Sequence, residues 1–346
     1  MSNLQIGLAI AGGVVLAAVV AHGAWSARKA APRQAVPEPS VQDPAPQEPV
    51  LGEAPPTDVG TSTWSGLMQR RASMDALIDV IAMVALDGPH SVVSGEAALA
   101  AMPSTRRAGS KPYTIEGCNQ ATQTWELPQP GQRYTAFQAG VQLANRSGAL
   151  NEIEFSEFVM KTQAFADALG ASPEFPDMLE EVARARELDQ FASAHDAQLG
   201  FTIRARTASW STGFVQQHAA RLGFVPGVLP GRMVLPAGVE GAAPVLVLSF
   251  DAQAALADDA SHAAVREVAL HLDVAQVDRA EHPFVRMREA AMALAQAMDG
   301  VVTDDNGQPL TPDVMDVIGS ELEALYDALE QRDLAAGSSL ARRLFA

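Results

Sequence analysis

The chain has 346 residues, which is enough for one large domain or two ordinary ones. Its formal net charge of −17 argues against nucleic-acid binding, which needs a basic face for phosphate, and against broad contact with anionic lipid headgroups. Cys118 is the only cysteine, so the sequence excludes an intramolecular disulfide and a zinc site built from several cysteines.

Residues 4–25 form an almost wholly apolar run. About twenty apolar residues suffice to cross a bilayer. A cleaved signal peptide would carry basic residues ahead of its apolar core, whereas here Arg28, Lys29 and Arg33 follow the run. The positive-inside rule therefore predicts a single transmembrane anchor at 4–25, with its N-terminus outside and the bulk of the chain in the cytoplasm.

Residues 26–63 contain eight prolines and show no apolar periodicity, which predicts a disordered, extended linker. At about 3.1 Å per residue such a linker could hold a folded domain up to ~100 Å from the bilayer. It is either a spacer that gives reach or a connector without a selected length.

Hydrophobic patterns predict an α/β unit over residues 74–192. Strands are expected at 77–86, 113–116, 122–127 and 134–144. Helices are expected at 94–102, 155–169 and 176–191, with Ser94 as the N-cap of the first.

A second unit is predicted over residues 198–332. Strands are expected at 199–205, 245–250 and 268–274, with an extended segment at 224–235 that two prolines interrupt, and helices at 211–222, 284–298 and 312–329. Asp299 and Gly300 end the middle helix, and the glycine is expected to take the left-handed conformation there. Thr311 is the expected N-cap of the last helix, with Pro312 at its first position.

The two units show matching apolar spacing. Their long helices share gaps of three, four, three and four residues, in the sets Phe155, Phe158, Thr162, Phe165, Leu169 and Phe284, Met287, Ala291, Leu294, Met298. This indicates either a duplicated unit or coincidence, since many sheet–helix pairs give similar spacing. Short turns between the strands favour an α+β fold in which each antiparallel sheet is covered by helices on one face.

The run GVVTDDNGQPLTP at 300–312, the helix before it and the strand 268–274 carry a family resemblance. Over about 198–329 the sequence resembles the C-terminal domain of the ZipA family of bacterial cell division proteins. The resemblance implies a protein of the inner membrane at the division site that tethers FtsZ filaments and stabilises the division ring. It also implies that the bare sheet face binds the FtsZ C-terminal tail.

No catalytic or metal-binding constellation stands out in the sequence. The histidines lack ligand spacing, and no nucleophile elbow or phosphate-binding loop is found. The run 304–307 lacks the glutamate that closes a calcium loop, so a turn is predicted instead. We therefore expect a protein that is not an enzyme and needs no cofactor or metal. The alternatives are a membrane-anchored scaffold for another cytoplasmic partner and a membrane-anchored hydrolase.

Strand alternation gives the candidate partner-binding residues. Thr202 and Arg204 are expected on the bare face, together with His271 and Asp273. Strand 245–250 is apolar on both faces, so either Val247 or Leu248 is expected to form the floor.

The family resemblance implies large apolar residues where His271 and Asp273 stand. Three possibilities remain open at this point. The groove is narrower and more polar than in the family, it has moved to the first unit, or the two units cover each other's bare faces.

Overall fold

The computed structural model describes residues 33–34, 74–88, 91–257 and 263–346. The predicted anchor at 4–25 and nearly all of the predicted linker lie outside these residues. Within the described part, no helix combines the length and the apolar character needed to cross a bilayer.

The chain forms two compact units of mixed α and β structure. Unit N comprises 46–196 and 328–346, and unit C comprises 197–327 together with 1–45. In both units, every described pair of named strands is antiparallel.

The strands of unit N are β1 Asp79–Leu86, β2 Val93–Ser94, β3 Arg107–Ala108, β4 Lys111–Asn119, β5 Trp125–Glu126, β6 Arg133–Gln142, β7 Ala144–Asn145, β8 Gly148–Ala149 and β9 Ala171–Glu174. The main sheet has the strand order β3-β4-β6-β1-β9, and β7 pairs with β8 separately. The first three helices of unit N are α1 Gly95–Ala101, α2 Glu152–Leu169 and α3 Met178–His195.

Aromatic side chains of α2 form much of the unit N core. Phe155, Phe158 and Phe165 are buried, and the ring of Phe165 meets that of Phe137 on β6 edge-on at 5.2 Å. Asn151 and Glu154 start α2 with a reciprocal capping box, which satisfies backbone N–H groups that the helix itself cannot.

The strands of unit C are β10 Gln198–Ala205, β11 Trp210–Ser211, β12 Val225–Pro226, β13 Arg232–Leu235, β14 Leu246–Ser249, β15 Ala264–Val265, β16 Glu267–Asp273 and β17 Gly300–Thr303. The main sheet has the strand order β12-β13-β14-β16-β10-β17, and β11 pairs with β15 separately. The helices of unit C are α4 Thr212–Arg221, α5 Ala252–Ala255, α6 Pro283–Met298 and α7 Pro312–Glu330, whose last three residues are counted with unit N. Helix α8, Ser339–Leu344, ends the chain within unit N.

Helix α6 buries the apolar stripe predicted from its spacing. Met287, Ala291, Leu294 and Met298 are fully buried, and the ring of Phe284 packs edge-on against Phe201 of β10 at 6.3 Å. The helix packs on β10, β16 and β17, so it covers one face of the sheet.

The expected role of Gly300 at the end of α6 is wrong. Asp299 takes the left-handed conformation, with φ 54°, and Gly300 instead begins β17. A methyl group on Gly300 would lie 2.8 Å from Cγ2 of Ile203, so this position needs glycine because β17 packs closely against β10.

Two other predicted boundaries differ from the structure. The segment 224–235, predicted as extended and interrupted by two prolines, is a hairpin of β12 and β13. Strand β4 runs on through Gly117, where a methyl group would lie 2.4 Å from the Tyr134 ring, so this glycine makes room for a side chain instead of breaking the strand.

The two sheets share one order of connection. In unit N, β1 lies between β6, which precedes the long helix α2, and β9, which follows it. In unit C, β10 lies in the same way between β16 and β17, which flank α6. The shared apolar spacing in the sequence therefore accompanies a shared topology.

Candidate functional site: the open face of the unit C sheet

The register of the unit C strands separates a covered face from an open one. Phe201, Leu248 and Leu270 lie side by side on the covered face, where each is at most 2% exposed. Side chains one position along each strand point the opposite way, because successive residues alternate across a sheet. These alternate residues form the candidate site.

The structure brings most of the predicted site residues to the open face. Thr202 and Arg204 of β10 lie there with His271 of β16, and Asp273 follows at the end of that strand beside Gln198. Val247 of β14 stands directly beside His271.

Leu248 is not part of this face. It is fully buried and pairs with Leu270 and Met233 on the side that α6 covers. Of the two residues expected as the floor, only Val247 can meet a partner on the open face.

An apolar strip runs across the open face from the edge of the sheet. Val225 on β12 pairs with Val234 on β13, and Val234 pairs with Val247 on β14. Val234 and Val247 are half-buried and Val225 is 45% exposed, so all three present apolar surface. We call Val225, Val234 and Val247 the valine strip.

The valine strip ends at a polar group centred on His271. Nε2 of His271 lies 3.2 Å from Oγ of Ser249, within hydrogen-bonding distance. Burial lowers the pKa of His271, and the charge of Arg232 acts in the same direction, while Asp305 opposes both. The ring is therefore neutral at pH 7 and continues the strip without adding charge.

The side chain of Asp305 lies over Gly200, which pairs with His271. A methyl group on Gly200 would lie 3.1 Å from Oδ1 of Asp305, so the side chain of the β17–α7 turn reaches over the sheet at this point. The turn itself is as predicted: the N–H of Gly307 donates to the carbonyl of Asp304 at 3.0 Å, and Gly307 has φ 80°.

Arg204 forms the cationic side of the face. Its Nε lies 3.6 Å from Oε2 of Glu267, and both side chains are largely exposed, so the pair is weak. Its Nη1 lies 2.7 Å from where a Cβ on Gly307 would stand, which places the guanidinium against the turn.

Three residues of this face were not predicted from the sequence: Val225, Val234 and Arg232. Two prolines hid the strand pattern of 224–235, so the segment was not resolved into strands. The alternation of Arg232, Met233, Val234 and Leu235 was the available signal, since only Met233 and Leu235 are buried.

Metal chemistry gains no support from the described part of the chain. No group of three or more His, Cys, Asp or Glu side chains is arranged there to hold an ion.

Comparison with known families matches residues 253–321 to the ZipA C-terminal FtsZ-binding domain. This match confirms the resemblance to the ZipA family predicted from the sequence. It includes His271 and Asp273, whereas Thr202, Arg204 and Val247 lie N-terminal to it. No curated protein matches the chain.

Proposed function

We propose that this protein is a non-enzymatic tether that binds the C-terminal tail of FtsZ on the open face of the unit C sheet and holds FtsZ filaments at the membrane. The observation that carries the proposal is the valine strip, which lies on a face left open by α6 in a unit matched by an FtsZ-binding domain family. Exposed apolar strips of this kind mark sites for peptide partners.

Recognition would combine apolar burial with charge. Apolar side chains of the tail would cover Val234 and Val247, while Arg204 and Arg232, both exposed, would meet carboxylates of the tail. The buried apolar contacts supply most of the binding energy, since exposed charge pairs contribute little.

Membrane attachment would make a modest affinity sufficient. The apolar run at 4–25 supplies the anchor, and a filament presents many tails to many tethers at once. Linked binding of this kind raises the effective concentration of each tail, so ring stabilisation does not need a tight single contact.

The topology can be tested by cysteine labelling at positions 3 and 60 in cells. Labelling at position 3 from the periplasmic side and at position 60 only from the cytoplasm is expected. The reverse pattern would overturn the proposal, because FtsZ would then lie on the other side of the membrane.

The binding site is best tested in the full chain. Residues 328–346 belong to unit N although they follow unit C, so cutting the chain between the units would separate this segment from its partners. We therefore propose titrating a labelled FtsZ tail peptide into the full chain in nanodiscs, and into a variant carrying Val234→Asp and Val247→Asp.

Loss of binding in the double variant, with Val314→Asp binding normally, is the expected result. Val314 is a matched control because it is a valine 45% exposed on α7, a helix that packs beside Phe284 of α6 and contributes no strand to the sheet. Normal binding by the double variant would move the site elsewhere. If the unaltered chain does not bind the tail, a scaffold for another cytoplasmic partner becomes the better explanation.

We also propose that the two units arose by duplication. The matching helix spacing and the shared strand order support it. Unit N lacks the run at 300–312, so it would have diverged at the place that marks the family in unit C.

A further inference from the structure

An apolar hairpin tip projects from the unit C sheet without a partner in the described structure. Between β12 and β13, Val228 is fully exposed and Leu229 is 58% exposed. Two backbone hydrogen bonds fix the conformation of the tip. The N–H of Gly227 donates to the carbonyl of Arg232 at 2.8 Å, and the N–H of Arg232 donates to the carbonyl of Leu229 at 3.2 Å.

Gly231 fixes the base of this tip. Its φ is 71°, and a methyl group there would lie 2.5 Å from the carbonyl oxygen of Phe250. The carbonyl of Gly231 accepts the N–H of Phe250 at 2.9 Å. The hairpin therefore displays two large apolar side chains on a rigid support, which is an arrangement that costs little entropy on binding.

The N-terminal segment attaches to unit C at the same end of the sheet. Arg33 forms a parallel β-bridge with Trp210: its N–H donates to the carbonyl of Ser209 at 2.7 Å, and its carbonyl accepts the N–H of Ser211 at 2.8 Å. Its guanidinium pairs with Asp299 at 2.6 Å. We call this contact the Arg33 clasp.

The register shows that the clasp and the tip share one end of the sheet. Strand β10 finishes there at Ala205, β17 starts beside it at Gly300, and β13 starts at Arg232. The sheet has six strands, so the two edges at this end lie about 24 Å apart at the usual strand spacing.

The chain length places this end close to the predicted anchor. Arg33 lies only eight positions after Trp25, which ends the apolar run. Fully extended, these eight steps along the chain span at most about 28 Å. The Arg33 clasp therefore limits the distance between unit C and the predicted anchor to far less than the full length of the linker would allow.

Arginines are concentrated at this end of a unit that is otherwise acidic. Four of the eight arginines in 197–327 lie on or beside these strand ends: Arg204, Arg206, Arg232 and Arg266. The described acids nearby are engaged, Glu267 with Arg204, Asp299 with Arg33, and Asp251 as the cap of α5. Asp258 and Asp259 fall outside the described residues.

We infer that unit C contacts the bilayer directly through this end, with Val228 and Leu229 entering the interfacial region and the exposed Arg206 and Arg266 facing anionic headgroups. The inference rests on the proposed anchor, and it gives the Arg33 clasp a function. Apolar insertion combined with basic residues is the usual basis of interfacial membrane binding. The open face, which is perpendicular to the sheet end, then remains accessible to the FtsZ tail at the membrane surface.

The test uses the full chain reconstituted into vesicles of phosphatidylethanolamine and phosphatidylglycerol, with Cys118→Ser as background. An environment-sensitive fluorophore is placed by Leu229→Cys or by Val239→Cys. Val239 is the matched control, since it is 62% exposed but lies in the loop between β13 and β14 at the opposite end of the sheet. Spin-labelled lipid is the quencher.

Quenching at position 229 is expected to exceed that at 239 by about threefold or more, because only the tip would lie within reach of the acyl chains. Replacing the lipid by phosphatidylcholine should reduce the difference, and Arg33→Ala should do the same while the unfolding transition is retained. Equal quenching at the two positions would overturn the inference, as would a difference that Arg33→Ala leaves unchanged.

Two further readouts keep this test separate from that of the proposed function. Flotation with the vesicles reports the anchor, and its failure would remove both the anchor and the inference. Binding of the labelled tail peptide to the same vesicles reports the valine strip. Tail binding together with equal quenching at 229 and 239 would leave FtsZ tethering intact and reject the membrane contact alone.

Discussion

Removing the two γ-methyl groups from Val234 and from Val247 measures how much the valine strip contributes to binding. In the double variant Val234→Ala and Val247→Ala the strands keep their register, and no charge is introduced. Both residues are at most about a third exposed in the free protein, so a bound tail can bury up to roughly a third of each.

The magnitude follows from that remaining area. Each Val→Ala change removes two methyl groups, each worth about 0.8 kcal/mol when fully buried, so about 0.5 kcal/mol per residue is at stake when the exposed third becomes buried. For two residues the loss is about 1 kcal/mol, or about a fivefold higher dissociation constant.

Fluorescence anisotropy of a labelled tail peptide, titrated with the full chain in nanodiscs, measures this change. Val314→Ala on α7 is the control and should alter affinity less than about twofold, as exposed sites generally do. Urea unfolding of each variant shows whether the fold is retained. A double variant that folds and binds like the unaltered chain would refute the assignment of binding energy to the strip.

Substitutions at three further residues test the structure. Nζ of Lys111, which is 1% exposed, donates to Oγ of Ser110 at 2.7 Å and lies 3.8 Å from Oε2 of Glu154. Lys111→Ala would leave the buried Glu154 without its cation, so it should lower the unfolding free energy by about 3 kcal/mol in urea titrations. Burial lowers the pKa of Lys111 in the folded protein, so at alkaline pH below the ordinary lysine pKa the unfolded state binds more protons than the folded state. The stability of the unaltered chain should therefore rise with pH in this range, whereas that of Lys111→Met should not. Asn151→Ala removes the capping box of α2 and should cost about 1 kcal/mol by thermal unfolding, whereas an unchanged midpoint would show that the cap is dispensable. The lowered pKa of His271 means that the unfolded state protonates first as pH falls below the ordinary histidine value, so stability should decline there, and the decline should be smaller in His271→Gln.

Periodicity predicted the elements that bury one continuous face. The stripe of α6 follows from the gaps between Phe284 and Met298, and the structure buries it as expected, because a helix packed on a sheet hides one side only. Strand β16 alternates cleanly, so its covered residues Leu270 and Leu272 and its open residue His271 could be assigned from sequence alone.

Periodicity could not decide the orientation of β14. Leu246, Val247 and Leu248 are all apolar, so the sequence carries no alternation, and only pairing with β16 shows that Val247 faces out. The Arg33 clasp was also inaccessible, because a single bridge between residues 177 positions apart leaves no local pattern. The left-handed Asp299 escaped prediction because a neighbouring glycine offered the more common solution.

The structure also bears on which unit offers an open face. In unit N, the face equivalent to the valine strip is occupied by the residues that lead into β1. A methyl group on Gly140 would lie 2.1 Å from Sδ of Met74, so Met74 lies directly on the sheet there. Beside it, Nε2 of Gln138 donates to Glu116 at 2.8 Å, and both side chains are buried.

A tail peptide would have to displace Met74 and uncover this buried polar pair before reaching the unit N sheet, and exposing or breaking such a pair opposes binding. The valine strip of unit C requires neither step, since Val225, Val234 and Val247 already meet solvent. The two units thus share a topology, but Met74 covers this face of the sheet in unit N, whereas the corresponding face in unit C is exposed to solvent. This difference supports the proposed placement of tail capture on unit C, where His271 and Asp273 make one end of the open face polar.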